Sequence, residues 1–172
     1  MILFLFLSLT LCLFIFYIVF KPSRHKINIR KAQRVLLTIR AINGHYKEAK
    51  TFTYLRKISP YVFEELLLTV FQEHGFTISR NKRYSHDGGL DGQVYDNFGN
   101  LYLVQAKRYK GYINSKHLTD FQKCIYRKHA KGGYFIHTGK TGKDHLLNYR
   151  QSNIEILSGN RLLQFIELPS GK

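Results

Sequence analysis

The stretch Asp87-Gly88-Gly89-Leu90-Asp91-Gly92 leads into Gln93-Val94-Tyr95-Asp96, then Asn97-Phe98-Gly99-Asn100, then Leu101-Tyr102-Leu103-Val104-Gln105-Ala106-Lys107. Side chains alternate along a strand, so Leu101, Leu103, Gln105 and Lys107 share one face of the last segment. Tyr102, Val104, Ala106 and Arg108 share the other. Residues 93–96 read as a second short strand, and the Asn/Gly-rich segment between the two reads as a tight turn. A three-residue loop of Phe98, Gly99 and Asn100, with Asn100 left-handed, sets Asp91 across from Lys107. A two-residue loop would set Asp91 across from Ala106, facing away. The three-residue form is the expectation. It gathers a carboxylate, an amide oxygen and an ammonium, a plausible site for a divalent cation, a phosphate and a water.

The rest of the chain supports an anion-binding domain. It has 172 residues and a net charge of +16, and no charged side chain precedes Lys21. A body this basic repels itself unless it meets an anion, which points to nucleic acid or an anionic membrane surface. A merely soluble basic protein is the plainer alternative. Two cysteines, Cys12 and Cys124, exclude a disulfide framework or a cysteine zinc site. The eight histidines form no ligand pattern, and His137 reads as packed within a strand.

Residues 1–20 carry no charge and are nearly all Leu, Ile, Phe and Val. As a helix they would be about 30 Å long, the thickness of a bilayer core. There is no positive start and no small-residue cleavage site, so an uncleaved single-pass anchor is expected rather than a signal peptide. Lys21, Arg24, Lys26, Arg30 and Lys31 follow it, which puts the C-terminal body on the cytoplasmic side of the inner membrane. Residues 21–57 read as a basic linker with a helix through Val35, Leu36, Ile39 and Ile42, ended by Asn43-Gly44. That helix is expected to lie in solvent or against anionic lipid.

A domain is expected over residues 58–168. Ser59-Pro60 caps a helix whose buried stripe is Phe63, Leu66, Leu67, Val70 and Phe71. Glu64 and Glu65, near its start, suit the helix dipole. A strand at 76–79 and the basic turn Arg80-Asn81-Lys82-Arg83 come next. Beyond Lys107, a helix from Ser115 carries Leu118, Phe121 and Ile125. It should cross over to a parallel strand at 134–138. A helix at 144–150, a strand at 154–157 and a helix at 160–166 complete the domain. Thr138-Gly139-Lys140-Thr141-Gly142-Lys143 lacks the spacing of a nucleotide-binding phosphate loop. Arg80, Lys82, Arg83, Arg108, Lys110, Lys140 and Lys143 are the expected contacts to a phosphate backbone.

Several pieces together resemble the Mrr-like restriction endonucleases of the PD-(D/E)xK nuclease superfamily. They are Phe63-Glu64 with Gly75-Phe76, Gly88-Gly89-Leu90-Asp91-Gly92, Val104-Gln105-Ala106-Lys107-Arg108-Tyr109, Gly133 through Gly139, and Ile156-Leu157-Ser158-Gly159 with Leu162-Leu163. The resemblance spans about residues 58–166. It implies an α/β fold with a restriction-endonuclease-like mixed sheet flanked by helices, here preceded by one transmembrane helix. It implies Mg2+ (or Mn2+), held by Asp91, Gln105, the Ala106 main-chain carbonyl and Glu64, with Lys107 as the catalytic lysine. Gln105 stands where the motif more widely has an acid, and His137 where a threonine is more usual. The implied partner is double-stranded DNA, cut in defence against foreign DNA; a homo-oligomer is left open. The rival reading is a catalytically silent module that tethers DNA to the membrane. A protein driven only to lipid surfaces would not account for Asp91 and Gln105-x-Lys107.

Overall fold

The computed structural model describes residues 10–12, 14, 16, 23–80, 90–142 and 152–167. The basic segment after residue 22 forms two helices, α1 (Arg24–Ala41) and α2 (Lys47–Lys57). There follow α3 (Pro60–Glu73), β1 (Thr77–Arg80), β2 (Gly92–Tyr95), β3 (Leu101–Lys107), α4 (Ser115–Arg127), β4 (Gly132–His137), β5 (Ile154–Leu157) and α5 (Gly159–Glu167).

The five strands form one mixed sheet in the order β1-β2-β3-β4-β5. β1–β2 and β2–β3 are antiparallel; β3–β4 and β4–β5 are parallel. The helical crossover through α4 is what makes the third pairing parallel, as expected from the chain order. Alternation along β3 sorts its side chains between two cores. Tyr102, Val104 and Ala106 pack with α1, α3 and α5. Leu101 and Leu103 pack with Phe121, Ile125 and Phe135 on the α4 side.

Helix α3 begins and ends as its sequence dictates. The Ser59 hydroxyl accepts from the Val62 N–H at 3.2 Å, and Pro60 occupies the first turn. Gly75, at φ +86°, lets the Phe76 N–H return to the Phe71 carbonyl at 3.1 Å. The whole predicted stripe is buried.

Helix α1 corrects the expectation of a solvated linker helix. Ala32, Val35, Leu36 and Ile39 are buried in the same core as α3. Arg40 ties its end to α5 through the Ile166 carbonyl, at 3.1 and 3.0 Å. A helix with an apolar stripe and a basic back needs a partner for the stripe, and α3 supplies it.

Of residues 1–20, those at 10–12, 14 and 16 are helical, and Leu11, Phe14 and Phe16 are exposed. Among the described residues no helix is long and apolar enough to cross a membrane. The rest of the expected anchor lies outside the described residues, as does the expected helix at 144–150.

Candidate active site

The β2–β3 turn sets the register of the site. Its three-residue loop is Asn97-Phe98-Gly99, closed by Asp96 and Asn100, whose N–H and C=O meet at 3.1 Å. Gly99, at φ +79°, takes the left-handed position expected of Asn100. The Asp96 carboxylate fixes this choice. Oδ1 accepts from the Phe98 and Asn100 N–H groups, both at 2.9 Å, and Oδ2 from the Asn100 amide at 2.7 Å. Gly92 therefore pairs with Val104, and Asp91 comes level with Gln105, not Lys107. The correction moves the pairing by an even step. Asp91 keeps the face of Gln105 and Lys107, as the expected site required.

Asp91 is held tightly. Its N–H donates to the Val104 carbonyl at 2.9 Å, and its Oδ2 accepts from the Ala106 N–H at 2.6 Å. Burial pushes its carboxyl up to about 6, with the Ala106 hydrogen bond and Lys107 working against that rise. At Gly92 beside it, a Cβ would lie 2.6 Å from a Leu68 methyl carbon, so a larger residue would push the buried Leu68 side chain aside.

Glu64, on the first turns of α3, belongs to the same electrostatic site. Burial pushes its carboxyl up to about 7, and the charges of Asp91 and Glu65 push the same way. Lys107 and Arg108 oppose them. Gln105 is 5 % exposed, and its Oε1 is buried without a hydrogen-bond partner among the described residues. An amide oxygen in that state loses water without replacing it, at a cost of about 1–3 kcal/mol. Ala106 stands opposite Ile136 in the ladder between β3 and β4.

Two desolvated carboxyls and an orphaned amide oxygen form a donor set that suits a hard, oxygen-seeking divalent cation. Among the described residues no group of three or more His, Cys, Asp or Glu side chains is arranged to hold a metal. A cation at this site would therefore rely on the amide and main-chain oxygens as well as the acids.

Glu65 departs from the helix-dipole reading. It is 2 % exposed and accepts from Arg80 Nε at 2.9 Å, with His25 Nδ1 3.1 Å away. The Arg80 guanidinium and the His25 ring offset the cost of taking that side chain out of water. Arg80 is thereby drawn onto α3. Arg108 is turned inward too, its Nη1 donating to the carbonyls of Arg56 and Ile58. Lys110 and Lys140 are exposed, and their loops are stitched together by Lys140 N–H to Gly111 C=O at 2.8 Å and Ile113 N–H to Lys140 C=O at 2.9 Å. Lys82, Arg83 and Lys143 lie outside the described residues.

His137 neighbours Lys107 in the ladder between β3 and β4 and is wholly buried. The Gly139 N–H donates to its Nδ1 at 3.2 Å, which leaves the ring proton on Nε2, 2.9 Å from the Thr141 hydroxyl. Its ring stacks on Tyr109 at 5.3 Å, and burial pushes its pKa down to about 4. It is a neutral, packed histidine.

No sequence motif marks Arg56. Its Nη2 donates to the Thr138 carbonyl at 2.6 Å, across 82 residues of chain. No local pattern announces such a contact; its position just ahead of the Ser59-Pro60 cap is the only clue.

Comparison with known proteins agrees with this geometry. The Mrr_cat family, described as a restriction endonuclease, matches residues 55–166. No curated protein matches the chain. Among solved structures, the DNA modification-dependent restriction endonuclease AspBHI is similar with a TM-score of 0.60 at 15 % identity, over 73 % of this chain and 36 % of its own. The MspJI restriction endonuclease, in complex with a 27-mer oligonucleotide, is similar with a TM-score of 0.56 at 20 % identity, over 74 % of this chain and 33 % of its own. The chain thus spans about a third of the length of these proteins, and at such identities the likeness is one of fold. The family match covers most of the chain and contains Glu64, Asp91, Gln105 and Lys107 together, so the protein belongs to the Mrr-type restriction endonuclease family.

Proposed function

We propose that this protein is an endodeoxyribonuclease that hydrolyses phosphodiester bonds of double-stranded DNA with Mg2+ or Mn2+. The observation that carries the reading is the buried Gln105 Oε1, without a partner among the described residues, level with Asp91 and two residues from Lys107. A protein that only binds DNA has no use for an orphaned acceptor beside two acids that resist ionisation. Glu64, Asp91, Gln105 and the Ala106 main-chain carbonyl would hold the cation. When bound, it would neutralise charge on the scissile phosphate and acidify a water. Asp91 is oriented for this by its Ala106 hydrogen bond. Lys107 brings a compact positive charge to the same spot, where it can orient a water and offset charge that develops on the phosphate oxygens.

Exposed Lys110 and Lys140 suit backbone contacts to the duplex, as does the net charge of +16. The solved complex of MspJI with an oligonucleotide is consistent with DNA as the ligand. The uncharged run at 1–20 and its basic flank support a single-pass anchor in the inner membrane with the catalytic domain on the cytoplasmic side. Defence against foreign DNA fits both the family and such a location.

The test is incubation of plasmid with the domain from residue 23 onward, with and without Mg2+ or Mn2+. Metal-dependent nicking or linearisation that disappears in Lys107→Ala is expected. DNA binding without any cleavage in either metal would favour the silent tether.

A further inference from the structure

Lys107 is the last residue of β3, where a strand ordinarily frays. Its ammonium sits on a flexible four-carbon stem, so the position of its Cα decides where the charge can reach. The backbone there is held from three sides. The Lys107 carbonyl accepts from the Thr138 N–H at 3.1 Å. The Thr138 hydroxyl lies 3.1 Å from the Tyr109 N–H, which donates to it, and 3.0 Å from the Tyr109 carbonyl, to which it donates. The Thr138 carbonyl accepts from Arg56 Nη2 at 2.6 Å.

The circuit closes through Arg108. Its Nη1 donates to the Arg56 carbonyl at 2.9 Å and also to that of Ile58. The Arg56 guanidinium lies over the Phe52 ring, 5.4 Å from its centroid, and Phe52 is buried. Gly139 is pressed so closely on the Gly111 carbonyl and the Tyr109 ring that a Cβ would not fit. Lys107, Arg108 and Tyr109 are thus each bonded to Thr138 or to the end of α2. Arg56 is the second residue of the family match, and the rest of α2 largely precedes it.

We propose that Arg56 and Thr138 are positioning residues for Lys107: α2 clamps the ends of β3 and β4 together and so fixes the lysine at the site. The inference rests on the reading of Lys107 as the catalytic lysine given above. Neither residue needs to touch DNA or metal for this, and the basic segment before the domain becomes part of the catalytic apparatus.

Arg56→Ala and Thr138→Val should each lower kcat about ten- to hundredfold with KM for a duplex within about twofold of wild type, since small misplacements of a reacting group cost that much. Mn2+ affinity, measured by calorimetry on the same proteins, should not change. Free guanidinium at concentrations well below unfolding should restore part of the Arg56→Ala rate and leave Thr138→Val unmoved. If Arg56→Ala fails to fold, Thr138→Val decides the question alone. Wild-type kcat in a folded variant would overturn the inference. So would a loss confined to KM, which would make Arg56 a DNA contact, or an Arg56→Ala loss that guanidinium cannot rescue. Cleavage that survives Lys107→Ala would instead overturn the functional reading beneath it.

Discussion

The Asp91 carboxylate stands 2.6 Å from the Ala106 N–H and takes the place of a ladder carbonyl at the point where β2 and β3 part. The acid is thereby aimed by the backbone of the motif that contains Gln105 and Lys107. It is also buried enough that its ionised form is disfavoured. Function and stability should therefore pull in opposite directions at this residue.

Asp91→Asn should abolish cleavage and yet melt at or above the wild-type temperature in the absence of metal. The amide oxygen can still accept from Ala106, and a desolvated charge is gone. Asp91→Ala leaves that N–H unpaired, which would cost about 1–3 kcal/mol if no water reached it. Circular dichroism melts and a nicking assay on the same samples would check this. Glu64→Gln should lower the rate less than Asp91→Asn does. Lys107→Arg should remain inactive, because a planar guanidinium does not replace a compact ammonium.

The carboxyls of Asp91 and Glu64 should cost the metal-free protein stability as pH rises from about 4 toward 7, partly offset up to about pH 6 by His137, which burial holds neutral down to about 4. Asp91 and Glu64 are raised by burial to about 6 and about 7, above the usual carboxylate range. Between the unfolded and folded values the native state binds more protons than the unfolded chain, so raising pH favours unfolding through that window. Glu64→Gln should flatten the upper part of the slope and Asp91→Asn the lower. Mg2+ or Mn2+ competes with those protons, and its stabilising effect should grow across the same range. Urea titrations at several pH values, with chelator and with metal, would read both trends.

Gln105→Leu should leave the metal-free fold as stable as wild type or up to about 1–3 kcal/mol more stable, since it removes a buried acceptor that has no partner. Metal affinity and cleavage should fall. Gln105→Glu should do the reverse, with tighter metal binding and a less stable metal-free protein. A Gln105→Leu variant that melts well below wild type, with its volume nearly kept, would mean that the amide already has a partner in solution.

DNA binding should fall steeply with salt, each phosphate contact contributing about −0.9 to the slope of log affinity against log salt. Lys110→Ala and Lys140→Ala, both at exposed positions, should each reduce the slope by about one contact without abolishing binding. Gel shifts at several salt concentrations would measure it, and an unchanged slope in the double variant would remove these two residues from the interface.

Full-length protein should sediment with membranes and resist carbonate extraction, with its C-terminus shielded from external protease in intact cells. The reason is the uncharged run at 1–20 followed by Lys21, Arg24 and Lys26. A soluble form trimmed near residue 20 would indicate a cleaved leader.

Local patterns in the sequence determined much of this protein. Period-two alternation sorted the faces of β3, Ser59-Pro60 and Gly75 bounded α3, and the crossover helix made β4 parallel. That Asp91, Gln105 and Lys107 share a face was legible because polar groups there stand out against the Leu101–Leu103 pattern. Within its own turn, the Asp96 carboxylate placed Gly99 in the left-handed position and Asp91 level with Gln105, a local contact that alternation alone does not reveal. Two matters were decided only by tertiary structure. Helix α3 offered an apolar surface that drew in α1, where the sequence alone suggested a solvated or lipid-bound linker. Arg56 met Thr138, and Glu65 met His25 and Arg80, across stretches of chain where no periodicity operates. Alternation and capping are properties of neighbours along the backbone. Which arginine satisfies a particular carbonyl, and how far burial raises a carboxyl, depend on what the folded chain brings beside it.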